Sequence, residues 1–132
     1  MRKVVLHCSD SDYEGQSASW IARIHIEERG WDDIGYHYFI RKSGLIEVGR
    51  PLDIVGSHVY GHNSDSVGVC LAGRSDFSQA SLTSLSTVLL PLLKRVYPGA
   101  TLHGHREFSK TKSCPIFDYS DLVRAWNRGV NV

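Results

Sequence analysis

Two short apolar runs constrain the fold more than any other feature of the chain: residues 3–8, KVVLHC, and residues 66–73, SVGVCLAG. Each is too short for a typical helix and is bounded by polar residues, so both read as strands. The glycines of the second run permit close packing, which places it inside a sheet. Helical patterns lie between and after them. Ser17 can cap a helix over residues 18–29, with Trp20, Ile21 and Ile24 on one face and Gly30 at its end. Leu82, Leu85, Val88, Leu89, Leu92, Leu93 and Val96 recur at helical spacing and predict a long core-facing helix over 79–97. Pro91, inside that pattern, must kink the helix or start a second segment. Residues 35–40 and 45–50, GYHYFI and LIEVGR, predict a hairpin turning at Ser43-Gly44. ATLHGH at 100–105 predicts another short strand, and Ser120 can cap a last helix over 121–128. Strands and helices interleave, so the expected fold is an α/β single-domain sandwich, a central mixed β-sheet flanked by helices, spanning residues 1–132.

At 132 residues and 42% hydrophobic content, one such domain can bury its own core. The 15 Lys and Arg are spread along the chain and the net charge is only +1, which disfavours nucleic acid as a partner. Cys8, Cys70 and Cys114 are an odd set with no C-x-x-C spacing, which argues against a disulfide framework. The N-terminus turns polar too soon for a signal peptide, and no apolar run reaches 18 residues. The expectation is therefore a soluble monomer, made in the cytoplasm without a signal peptide and with no stable membrane insertion.

The chemistry concentrates in residues 103–115, HGHREFSKTKSCP. Two readings compete there, a polar surface loop and a metal site completed from elsewhere in the chain. Imidazole and thiolate suit zinc, and a catalytic zinc keeps three protein ligands. His7, at the end of the first strand, with His105 and Cys114 could supply that set. Singly, Cys114 also reads as a small core residue and His7 as a core histidine, and the spacing matches no tight zinc-finger pattern.

HCSDS at 7–11, GYHYFIRKSGLIEVGR at 35–50, GSHVYGHNSDSVGVCLAG at 56–73, and GHRE at 104–107 followed by KSCPIFD at 112–118 stand in one order along the chain. In these four motifs, from about Val4 to Trp126, the sequence resembles the type-2 N-acetylmuramoyl-L-alanine amidases, a family that also includes peptidoglycan recognition proteins. The resemblance implies that His7, His105 and Cys114 hold a zinc ion in a surface cleft. It implies that Tyr36 bonds water or substrate beside the metal and that Lys112 faces the scissile carbonyl. His37 and His58 fall in motifs lining the cleft, where they contact the muramyl peptide or hold a metal ligand in place. Glu107 is a candidate partner for a zinc histidine or a helix-start carboxylate. His25 and His103 read as structural, and Cys8 and Cys70 as core thiols.

The implied activity is zinc-dependent hydrolysis of the amide between N-acetylmuramic acid and L-alanine in peptidoglycan, as in a phage or prophage endolysin that reaches the wall through a separate pore. A non-catalytic peptidoglycan-binding module, a cytoplasmic muropeptide-recycling amidase and a metal-free cysteine hydrolase are the alternatives. The presence of Cys114 counts against the first of these, and the last leaves His7 without a role.

Overall fold

A computed structural model describes residues 1–74, 76–111, 115 and 117–129. The strands are β1 (Lys3–Cys8), β2 (Tyr38–Ile40), β3 (Ile46–Val48), β4 (Ser66–Leu71) and β5 (Thr101–Gly104), and they form one sheet in the order β3-β2-β4-β1-β5. β1 runs parallel to both β4 and β5, β2 runs parallel to β4, and only the β2–β3 hairpin is antiparallel. The sheet is therefore mixed, with both apolar runs at its centre. Val4, Leu6, Val67, Val69 and Leu71 point to one face and are fully buried, as strands covered on both faces require.

That face is covered by α2 (Gln79–Ser84), α3 (Leu90–Val96) and α4 (Ser120–Asn127), through Leu85, Leu89, Leu93 and Trp126. The expected long helix is present as α2 and α3 joined by a π-helical turn, Leu85–Leu89. Pro91 explains it: a proline supplies no N–H and its ring excludes the carbonyl four residues earlier, so the turn widens just before it. The last helix begins one residue earlier than the sequence predicts. Ser120 is not its side-chain cap; instead its backbone N–H donates to Asp118 Oδ1 at 2.9 Å.

The opposite face carries α1 (Ala18–Arg29) over Ile21, Ile34, Phe39, Cys70 and Ala72. Ser17 Oγ accepts from the Trp20 N–H and Gly30 closes the helix in the left-handed region at φ 70°, both as the sequence predicts. The buried residues of α1 are Ile21 and His25, one turn apart, so a histidine occupies a core position. Cys8 and Cys70 are buried in the core, as their sequence reading expects. No helix among the described residues is long and apolar enough to cross a membrane.

Candidate active site

Side chains alternate along a strand, so His7 lies on the face opposite Leu6, and its in-register neighbour Cys70 belongs to the α1 side. His7 stands at the carboxyl end of β1. β5 runs alongside and ends at Gly104, after which a 3₁₀ turn, His105–Glu107, carries His105 in beside it. Carboxyl ends of parallel strands are where α/β sheets open into crevices. An open cleft of about 980 Å³ lies here, lined among the described residues by His7, His58, His105, Tyr36, Trp31 and Thr111, with others.

The two histidines face each other through like atoms, His7 Nδ1 and His105 Nδ1, 3.1 Å apart. His7 is 2% exposed. Burial holds its pKa well below the ordinary histidine value, and His58 and His105 beside it act in the same direction. His7 Nε2 meets His58 Nδ1 at 2.9 Å, and burial lowers His58 to about 3. Both rings are neutral at pH 7 and keep a lone pair, as a metal ligand must.

Tyr36 lines the same cleft, its ring centroid 5.0 Å from that of His7. The side chain is positioned from behind by His25, whose ring packs against Tyr36 and Trp31 while its Nδ1 accepts from the Gly35 N–H at 2.9 Å. An accepting nitrogen must be unprotonated. Burial, with Arg29 and Arg50 nearby, lowers the His25 pKa to about 4. The unfolded chain binds this proton near pH 6.5, so the contribution of His25 is complete above that pH and is lost as pH falls toward 4. Urea unfolding of His25→Gln beside the parent protein should give a shallower decline over that window, by up to about 1.4 kcal/mol per pH unit. Parallel curves would show that His25 does not lose a proton on folding.

His37 and His58 separate in the structure. His58 is 8% exposed and lines the cleft. His37 has no exposed surface: its Nδ1 accepts from the Gly68 N–H at 3.0 Å and its Nε2–H donates to the Ile54 carbonyl at 2.9 Å. With both nitrogens bonded to backbone, it ties the loop before His58 to β4 and reaches no cleft ligand in this arrangement. Glu107 likewise bonds away from His7 and His105. Its carboxylate accepts from the Gly104 N–H and Tyr119 hydroxyl and pairs with His103, which closes the turn that carries His105.

Lys112 and Cys114 lie outside the described residues. On either side of them, Thr111 lines the cleft, and the Pro115 carbonyl accepts from Arg106, the neighbour of His105, at 2.7 Å. Among the described residues no group of three or more His, Cys, Asp or Glu side chains is arranged to hold a metal.

Sequence reasoning missed two supports. Asn63 Oδ1 accepts from the His58 and Val59 N–H groups at 2.8 and 2.9 Å and so fixes the His58 loop. Its signal was the G-H-N run, because Asn side chains readily bond nearby backbone in loops. The other is Gly68: a Cβ there would lie 2.6 Å from His58 Cγ, so the central strand must be bare where the imidazole lies over it. Gly68→Ala should cost roughly 2–3 kcal/mol through overpacking at a strand that cannot shift. An unchanged denaturant midpoint would contradict the close approach.

Fold and site together describe a small α/β protein with facing histidines in an open cleft, an arrangement suited to hydrolysis. The family model described as N-acetylmuramoyl-L-alanine amidase matches residues 1–117, and the chain belongs to that family. It is 40% identical to the endolysin of Klebsiella phage KP32 over 96% of this chain and 85% of the relative. It is 38% identical to the endolysin of Escherichia phage T7 over 95% and 85%. Among solved structures, N-acetylmuramoyl-L-alanine amidase LysC from Clostridium intestinale URNW superposes with a TM-score of 0.85 at 30% identity, covering 96% of this chain and 85% of that one.

Proposed function

We propose that the protein is a zinc-dependent peptidoglycan amidase that hydrolyses the bond between N-acetylmuramic acid and L-alanine, with residues 1–132 forming a single amidase domain. The observation that carries this reading is the facing pair His7 Nδ1 and His105 Nδ1 in the cleft of a chain of this family. Two nitrogens bound to one tetrahedral zinc at 2.0–2.1 Å stand about 3.3 Å apart, close to the 3.1 Å between these atoms. The donor set therefore fits the metal, with Cys114 as third ligand. Zinc bound there supplies a Lewis acid that makes water a competent nucleophile near neutral pH.

The chain's own residues do the rest. Lys112 donates to the oxyanion as the amide carbonyl becomes tetrahedral, and the charge that develops there is what a preorganised cation stabilises most. Tyr36 directs its hydroxyl at water or the leaving amine. His58 holds His7 from inside the cleft, and His37 anchors the loop behind it. Trp31, Phe108 and the fully projecting Tyr60 give the cleft apolar and aromatic surface for a glycan or peptide, and Arg29 and Lys110, which also line it, suit carboxylates. The phage relatives support an endolysin role, in which a monomer reaches the wall through a separate pore. Chelation tests the metal requirement: activity on a soluble muramyl peptide should disappear with chelator and return with added zinc. Activity that survives complete metal removal would refute it.

A further inference from the structure

The metal-facing nitrogen of His7 must be a lone pair, yet an imidazole has two nitrogens and one proton to place. We propose that His58, Ser66 and the His62 carbonyl form a positioning relay that fixes His7 in its Nε2–H tautomer and turns the Nδ1 lone pair toward His105. Its starting point is a group that can only accept: the His62 carbonyl takes the Ser66 hydroxyl proton at 2.7 Å. A hydroxyl has one proton, so Ser66 Oγ faces His58 Nε2, 3.1 Å away, as an acceptor, and His58 must carry its proton on Nε2. His58 Nδ1 is then bare and accepts from His7 Nε2–H at 2.9 Å. That leaves His7 Nδ1 unprotonated, 3.1 Å from His105 Nδ1.

Each member is held in place. Ser66 is fully buried at the start of β4, and His58 lies over the bare Gly68 with its backbone N–H on Asn63. The 3₁₀ turn Asn63–Asp65 joins His62 to Ser66 and so sets the distance between the carbonyl and the hydroxyl. His58 and Ser66 are thus positioning residues: they act through His7 and touch no reacting atom.

The relay's role toward zinc rests on the proposed amidase function, but the tautomer order does not. The direct test is ¹⁵N–¹H correlation of the histidine side chains in the metal-free protein at neutral pH. His7 and His58 should both show protonated Nε2 and bare Nδ1; either ring in the Nδ1–H form overturns the relay. Ser66→Ala then removes the anchor with little change of volume. It should mix the His58 and His7 tautomers and weaken zinc binding, measured by competition with a chromogenic chelator, by roughly 10- to 100-fold. Unchanged tautomers and zinc affinity in Ser66→Ala would also overturn the relay. Should the parent protein take up no zinc, the amidase reading fails on its own, while the metal-free spectra still decide the tautomers.

Discussion

Cys114→Ser is expected to lose zinc and hydrolysis together. A serine hydroxyl is protonated at neutral pH and is not among zinc's ordinary protein ligands, whereas a cysteine thiolate at about 2.3 Å supplies both a bond and a negative charge. With the thiolate removed, His7 and His105 remain as two neutral donors, fewer than the three a catalytic zinc keeps. Metal content measured on the dialysed variant should fall from about one zinc per chain to near zero. Amide hydrolysis should fall further than the roughly 10³-fold that removal of a single oxyanion donor can cause. Because Cys8 and Cys70 are buried and remain, the thiol lost is unambiguous. Zinc retained at full occupancy with hydrolysis gone would instead give Cys114 the role of nucleophile.

Lys112→Ala should separate binding from chemistry. In the proposed role the ammonium acts on charge that is present mainly in the transition state, so its removal should lower kcat rather than raise KM. A loss of roughly 10²–10³-fold in kcat is expected, with zinc content unchanged. Steady-state kinetics on a soluble muramyl peptide at fixed zinc decides the matter. Equal kcat in variant and parent would remove Lys112 from the mechanism, and a change confined to KM would make it a binding residue.

The architecture was largely legible because its signals are local. The apolar runs of β1 and β4, the Ser17 cap and the Gly30 stop of α1 each owe their conformation to neighbours in sequence. Pro91 announced a break but not its form, because whether a helix kinks, restarts or widens into a π turn depends on how the flanking leucines pack on the sheet. The start of α4 was misplaced by one residue because Ser120 reads as a cap in sequence but is the first helical residue, with its backbone N–H on Asp118 Oδ1. At the site, residue types pointed to His7 and His105 and the family resemblance pointed to His58, and the structure brings His105 and His58 each within hydrogen-bonding reach of His7. The split between His37 and His58 was not legible. Both sit in cleft motifs, and only the three-dimensional register reveals that the Gly68 N–H and the Ile54 carbonyl occupy both nitrogens of His37. His25 was read as a structural helix residue, and its hold on Gly35 and Tyr36 appears only once α1 is docked.

Purified peptidoglycan incubated with the protein tests the central claim most directly, with the released products identified by mass spectrometry and zinc counted on the same preparation. The account predicts stem peptides bearing a new N-terminal alanine, released in proportion to a zinc content of about one per chain. Wall fragments that bind without any new N-terminal alanine, at full zinc occupancy, would contradict it and make the cleft a recognition site without catalysis.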